Sequence, residues 1–289
     1  MTNDPKNLIA FQGELGANGD LACRVVQPDM ATLPCHTFED TFAAVRDGKA
    51  KYLLIPIDNT VAGRVADIHH LLPDSGLHII GEHFQRVEHH LLAVKGTKIE
   101  ELTYVHSHVH ALNQCRDAIK ELGLEPMVHV DTAAAARDIS ERGEKAHEAI
   151  ASELAGEIYG LDSLRANFED AEHNTTRFLL MAQDASDLTP DDGDIMTSFV
   201  FRVRNVPAAL YKALGGFATN GVNMVKLESY LVGGGFVAAQ FYAEVDGHPE
   251  SQNVRLALEE LSFFTHEVRI MGAYPRNPVR DVINKNGAE

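Results

Sequence analysis

Short apolar runs alternate with helical patterns through the first two thirds of this 289-residue chain, and this alternation restricts the fold more than any other feature. Strands that alternate with helices form βα units around a mainly parallel sheet. The alternation restarts near Leu102, which predicts two α/β lobes with a cleft between them, where small ligands bind. The predicted segments lie at residues 8–11, 38–45, 52–57, 67–72, 77–81 and 89–94, and then at 103–105, 111–122, 126–130, 132 onward, 146–151 and 153–159.

The pattern changes after residues 184–194, a polar and acidic stretch with turn formers that is typical of a linker. The order that follows is strand, helix, strand, strand, helix, strand, and three glycines at 233–235 are predicted to form the hairpin between the middle strands. These elements are predicted at 197–204, 208–219, 223–232, 236–246, 250–261 and 265–272. Such a split βαβ unit has one bare sheet face or edge, which predicts at least a dimer.

A net charge of −17 and a pI near 5.3 argue against a nucleic-acid-binding protein, because phosphate neutralisation needs a basic face. An anionic substrate would therefore need a locally positive pocket. The three cysteines are odd in number and lack CxxC spacing, so free thiols are expected. The apolar run at 8–11 is too short for a signal peptide or a membrane span, so a cytoplasmic location without membrane attachment is predicted.

Residues 174–178, Asn-Thr-Thr-Arg-Phe, place an amide, hydroxyls and a guanidinium side by side, after an acidic segment at 159–170 that is interpreted as helix-like. A hydroxyl beside a fixed cation can donate a proton to a leaving oxygen, while the arginine holds a carboxylate in a bidentate fork. The pattern indicates chemistry on a small anionic molecule. The same residues also fit a half-exposed β-strand without chemistry.

Asp58, Asn59 and Thr60 follow the buried run at 52–57, which places them at the carboxyl end of a strand. Ligands of open α/β sheets bind at such strand ends. An Asx-type turn that only closes the strand is the alternative interpretation.

Histidines at 106, 108 and 110 would share one face of an extended strand, a spacing compatible with a metal site. The favoured interpretation is that Ser107 caps the following helix and leaves amide donors for an anion, because no carboxylate lies nearby at ligand spacing. The histidine pairs at 69–70 and 89–90 are interpreted as surface or packing residues. Asp131 is predicted to cap a helix that continues with four alanines.

Taken in this order, the motifs resemble those of bacterial prephenate dehydratases over nearly the whole chain. The similarity rests on a glycine-bearing loop at 11–19 and on the motifs at 56–60, 107–115, 131–136, 159–161 and 174–178, of which the last is the most specific. The resemblance implies two lobes like those of periplasmic binding proteins, followed by an ACT domain. It places a bilobal catalytic domain at 5–185 (lobe 1 about 5–83 plus 175–185, lobe 2 about 84–174), a linker at 186–196 and the ACT domain at 197–278.

The resemblance also implies roles for individual residues. Catalysis is assigned to Thr176, Asn59 and Ser107, and substrate binding to Asp58, Thr60, Gly63, His108, His110, Asn174, Arg177 and Phe178. Effector binding is assigned to Ala208, Ala209, Leu210, Asn223, Met224, Glu228 and Ser229. The chain departs from the family pattern at His110, where the family has glutamine, and at Ala208, where it has glycine.

Prephenate carries two carboxylates and a hydroxyl on a cyclohexadiene, and its aromatisation drives the loss of water and carbon dioxide. This elimination needs no metal and no cofactor. Thr176 is expected to stabilise the leaving oxygen, and Arg177 to anchor a carboxylate or to fix the strand by pairing with an acidic neighbour. L-Phenylalanine is the expected effector of a homodimer or homotetramer. Arogenate dehydration, a non-catalytic amino-acid sensor and a histidine-coordinated metal hydrolase are the alternatives.

Overall fold

The computed structural model describes residues 4–171, 173–204, 206–231 and 238–286. The strands are β1 (Leu8–Gln12), β2 (Ala31–Cys35), β3 (Tyr52–Asn59), β4 (Gly63–Arg64), β5 (His78–Arg86), β6 (His90–Ala93), β7 (Tyr104–His108), β8 (Glu125–His129), β9 (His147–Ala151), β10 (Asp162–Arg165), β11 (Thr175–Ala182), β12 (Ile195–Val203), β13 (Met224–Leu231), β14 (Ala238–Asp246) and β15 (Thr265–Pro275). The α-helices are α1 (Asn18–Val26), α2 (Phe38–Arg46), α3 (Ala66–Leu71), α4 (Val109–Gln114), α5 (Arg116–Glu121), α6 (Thr132–Arg142), α7 (Glu153–Tyr159), α8 (Ala209–Thr219), α9 (Gln252–Phe264) and α10 (Val279–Asn286). One compact unit contains Met1–Val65 and His83–Phe178, and a second contains Ala66–Glu82 and Leu179–Glu289.

The first sheet has the strand order β2-β1-β3-β11-β5, with the short β4 paired to β3. Strand β1 runs parallel to both β2 and β3, so their carboxyl ends meet at one edge. The centre of β3 is fully buried because Leu53, Leu54 and Ile55 form a continuous apolar run, as in strands covered on both faces. The predicted strands at 8–11, 52–57 and 77–81 are confirmed, whereas β2 and α1 were not predicted.

The second sheet has the order β10-β6-β9-β7-β8, with β7 parallel to both β8 and β9. The predicted helix at 111–122 is divided at Cys115, because the carboxylate of Asp170 accepts hydrogen bonds from the N–H groups of Asp117 and Ala118 and starts a second helix there. The helix-like interpretation of 159–170 is wrong. Gly160 takes a left-handed conformation that ends α7, and the chain then forms β10, antiparallel to β6.

The third sheet is antiparallel, with the order β13-β14-β12-β15. Helices α8 and α9 pack on one face, where Phe199, Phe217 and Leu261 belong to a single apolar core. The predicted βαββαβ order after two α/β lobes is confirmed. The hairpin predicted at 233–235 lies outside the described residues, and α10 was not predicted.

The face of the third sheet opposite α8 and α9 is covered by other segments of the chain. An uncovered sheet face therefore gives no reason to expect a dimer. The hydroxyl of Tyr230 hydrogen-bonds His69 of α3 at 2.7 Å, and the backbone of Gly272 lies directly against that of Ile79. Arg280 of α10 pairs with Glu244 on the same face at 2.9 Å. A dimer therefore stays a prediction that rests on the edge strand β13. Among the described helices, none is long and apolar enough to cross a membrane.

Candidate functional site

Asn59 ends β3 in a turn that fixes the orientation of its side-chain amide. Its Oδ1 accepts hydrogen bonds from the backbone N–H groups of Val61 at 2.9 Å and Ala62 at 2.7 Å. This is the Asx turn that was the alternative interpretation of residues 58–60 from the sequence. Because the oxygen is held by the backbone, the amide NH2 points away from the turn, where it donates to Asn174 Oδ1 at 2.8 Å and Thr176 Oγ1 at 2.9 Å.

The hydroxyl of Thr176 lies in β11 and accepts the hydrogen bond from Asn59. A hydroxyl has one hydrogen and two lone pairs, so accepting from Asn59 leaves the hydrogen of Thr176 for another partner. The hydroxyl makes no other hydrogen bond within the described part of the chain. The arrangement therefore presents an oriented O–H donor at the carboxyl end of β3.

Asn174 extends the network towards the second sheet. It is 1% exposed, and its Nδ2 donates to Gln114 Oε1 at 3.0 Å. The same oxygen of Gln114 lies 2.9 Å from His89 Nε2. Sequence reasoning missed both Gln114 and His89 as site residues. The interpretation of His89 as a packing residue agrees with its burial, but its ring also contacts this network.

Arg177 and Thr176 are neighbours in β11, so their side chains point to opposite faces of the sheet. Arg177 is buried and lies 3.5 Å from Asp58 Oδ2, on the face opposite the pair formed by Thr176 and Asn59. Of the two expected roles, the geometry supports pairing with an acidic neighbour that fixes the strand. Phe178, which alternates with Arg177, is buried in the core.

Thr60 ties the turn to the start of β11 through its hydroxyl. Its Oγ1 donates to the carbonyl of His173 at 2.7 Å and accepts from the N–H of Thr175 at 2.9 Å. Gly63 pairs with Asn59 across the β3–β4 hairpin and has φ +80°, a left-handed conformation that favours glycine. Both residues therefore shape the turn that holds Asn59.

Ser107 does not cap the helix, so the predicted capping role is wrong. It lies inside β7, fully buried, and its hydroxyl donates to the carbonyl of Ile150 at 2.6 Å because β9 runs beside it. The cap is His108, whose Nδ1 accepts from the N–H of His110 at 3.4 Å.

The three histidines at 106, 108 and 110 do not share one strand face, contrary to the arrangement considered for a metal site. His110 lies in α4 and is exposed, with its ring 5.0 Å from that of His108. His106 Nε2 lies 2.9 Å from His147 Nδ1 instead. Burial and the neighbouring His147 lower the pKa of His106 to about 4, so its ring is neutral at physiological pH.

The glycine-bearing loop at 11–19 contacts the second lobe, within the same compact unit. Tyr159 donates to the carbonyl of Leu15 at 2.9 Å, and a Cβ on Gly16 would lie only 2.7 Å from Ala155 Cα. Asp131 caps α6 as predicted, accepting from Ala134 N at 2.9 Å, and burial raises its pKa. The first two contacts hold the loop that follows β1 against α7.

The predicted effector residues lie in the third-sheet unit. Ala208 precedes α8 with φ 61°, a left-handed conformation that glycine adopts more readily, and Ala209 and Leu210 begin the helix. Asn223 donates to Asp246 Oδ2 at 2.7 Å just before β13. Met224, Glu228 and Ser229 belong to that edge strand.

Residues 9–186 match a family model described as prephenate dehydratase. A bifunctional N-acyl-homoserine lactone acylase/prephenate dehydratase of Komagataeibacter europaeus is 52% identical, over 95% of this chain and 98% of the relative. An arogenate dehydratase/prephenate dehydratase of Arabidopsis thaliana is 35% identical, over 96% of this chain and 74% of the relative. The crystal structure of a prephenate dehydratase in complex with L-Phe from Arthrobacter aurescens is 28% identical, with a TM-score of 0.84 over 93% of this chain and 90% of that one.

Proposed function

The chain belongs to the prephenate dehydratase family of enzymes, and we propose that it converts prephenate to phenylpyruvate, carbon dioxide and water. The observation that carries this proposal is the hydrogen bond from Asn59 Nδ2 to Thr176 Oγ1, which leaves the threonine hydrogen available for another acceptor. Elimination from prephenate needs such a donor at the leaving hydroxyl. Thr176 and Asn59 are the catalytic residues of the proposal, and Asn174 holds Asn59 in place.

In the proposed reaction, the bond between the ring and its carboxylate breaks and carbon dioxide leaves. The electron pair of that bond moves into the ring, and the ring carbon–oxygen bond breaks, so the hydroxyl leaves with its electrons. It takes up a proton from the solvent and departs as water, and the ring becomes aromatic. Thr176 donates a hydrogen bond to the departing oxygen. A threonine hydroxyl is a weak acid, so it stabilises developing charge and does not release its proton fully.

Neutral donors are proposed to bind the substrate carboxylates. Gln114 Oε1 already accepts from Asn174 and contacts His89, so the Gln114 NH2 group faces away from both. We assign this NH2 group to a carboxylate, together with His108 and His110 at the start of α4. Ser107 and Thr60 instead hold β7 and the Asn59 turn through their hydroxyls. A weakly solvated ring carboxylate leaves more readily as carbon dioxide.

The test is a purified assay of phenylpyruvate formation from prephenate beside phenylalanine formation from arogenate. Preference for prephenate supports the proposal, and turnover of arogenate alone would assign the chain the aminated substrate. Failure to convert either would remove the dehydratase proposal and leave the amino-acid sensor.

Arg177 gives a separate prediction, because its pairing with Asp58 implies a structural role. Arg177→Leu is expected to lower the free energy of unfolding by about 2 kcal/mol, less than for a fully buried pair because Asp58 keeps some exposure. Urea unfolding measures it, with Arg142→Leu at the exposed end of α6 as the control. A tenfold rise in KM at unchanged stability would instead assign Arg177 to a substrate carboxylate.

Regulation is proposed at residues 197–278, interpreted as an ACT domain, with an aromatic amino acid bound near Ala209, Asn223 and Ser229 at an interface between two copies. The support is the βαββαβ order and the phenylalanine complex of the relative that is 28% identical. L-Phenylalanine is expected to change prephenate turnover, whereas D-phenylalanine at the same concentration should not. Equal effects of both enantiomers would exclude a stereospecific site.

A second candidate activity is hydrolysis of N-acyl-homoserine lactones. The relative named for both activities aligns with this chain over 98% of its own length. That relative therefore has no large additional segment that could carry the second activity. Release of homoserine lactone from an N-acyl substrate would establish this activity here, and its absence beside prephenate turnover would exclude it.

A further inference from the structure

We propose that His89 is a positioning residue for the dehydration: its Nε2–H group holds the Gln114 carboxamide so that the Gln114 NH2 group faces the substrate. This inference rests on the proposed function. It adds a residue that lies outside the predicted site set and that acts through another side chain.

The direction of every hydrogen bond in the network follows from the Asn59 turn. Since the backbone holds Asn59 Oδ1, its NH2 group must face Asn174, and Asn174 must meet it with Oδ1. The Asn174 NH2 group then faces Gln114, which must meet it with Oε1. An amide oxygen only accepts, so the His89 Nε2 that lies 2.9 Å from it carries the hydrogen.

His89 itself is held rigidly. His89 is 2% exposed, its backbone N–H donates to Glu169 Oε2 at 2.8 Å, and its backbone carbonyl accepts from the N–H of Phe168 at 2.8 Å. Its Nδ1 is buried without a hydrogen-bond partner among the described residues. Burial lowers the pKa of His89, which agrees with a neutral ring that carries its hydrogen on Nε2.

The ring therefore makes one hydrogen bond within the described residues, and that bond ends on Gln114. A histidine that served only to pack the core would not need to direct its ring N–H group at a specific acceptor. Two donors on one amide oxygen fix both the position of the oxygen and the plane of the amide. Without His89, the Asn174 NH2 group still binds Gln114 Oε1. The plane of the Gln114 carboxamide can then rotate about this hydrogen bond, and the Gln114 NH2 group is no longer held towards the substrate.

A double-mutant cycle tests the proposal in the full chain with prephenate as substrate. His89→Phe is expected to lower kcat about tenfold, and His89→Gln, which restores a donor, to stay within threefold of the wild type. In a Gln114→Ala background, His89→Phe should change kcat by less than twofold, because the group that it positions is gone.

An equal loss from His89→Phe in both backgrounds, or no rescue by glutamine, would overturn the proposal. If His89→Phe does not fold, His89→Leu takes its place in the cycle. Nitrogen-15 NMR of the histidine ring is independent of activity and should show the Nε2–H tautomer. A ring protonated on Nδ1 alone would contradict the geometry even if the chain proved not to be a dehydratase.

Discussion

Asn59→Asp is expected to lower the turnover of prephenate by about 10²- to 10³-fold without unfolding the protein. The two side chains have the same shape, and the carboxylate can still accept from Val61 and Ala62. Its second oxygen, however, would replace the NH2 group that faces Thr176 Oγ1. The threonine hydroxyl would then donate to the carboxylate and be lost to the leaving group, and loss of one such donor costs two to three orders of magnitude in kcat.

The control for added charge is Asn7→Asp, because Asn7 is exposed near the start of the chain. It should retain wild-type kcat and KM. If Asn59→Asp turned over prephenate within threefold of the wild type, the orientation of the Thr176 hydroxyl would have no part in catalysis.

Glu148→Met is expected to stabilise the protein by about 3 kcal/mol at pH 7. Glu148 lies in β9 with 0% exposure, and both carboxyl oxygens are buried without hydrogen-bond partners among the described residues. Burial raises its pKa to about 8. The unfolded chain ionises this group from about pH 4.5, while the folded protein keeps it protonated, so the folded state loses stability as the pH rises towards 8.

Methionine has a similar length and no ionisable group, so the gain should grow with pH. Urea unfolding at pH 5 and pH 8 measures it, and the stabilisation should be several-fold larger at the higher pH. Glu153→Met, at an exposed position in α7, should show no such difference. An equal gain at both values would mean that Glu148 is not protonated in the folded protein.

The alternation of apolar runs and helices was sufficient to predict the lobes and the βαββαβ unit, because period and turn residues are local properties of the chain. The predictions that failed depend on distant partners. The division of the helix at Cys115 needs the carboxylate of Asp170, and the burial of Ser107 needs the carbonyl of Ile150 from another strand.

Several residues of the candidate site could be located from the sequence, but their contacts with distant residues could not. Motifs at 58–60 and 174–178 located Asn59, Asn174 and Thr176, yet Asn59 and Thr176 are 117 residues apart and their hydrogen bond could not be read from spacing. Arg177 stood beside Thr176 in the sequence, but strand alternation turned it to the other face, against Asp58. His89 gave no signal beyond an adjacent pair of histidines.

The Thr176 hydroxyl is proposed to stabilise the leaving oxygen of prephenate, and kcat for phenylpyruvate formation by Thr176→Val and Thr176→Ser measures this role directly. Valine keeps the shape of threonine and removes the hydroxyl, whereas serine keeps the hydroxyl. We expect a loss in kcat of about 10²- to 10³-fold for valine and of less than about tenfold for serine. Wild-type turnover by a folded Thr176→Val protein would contradict it.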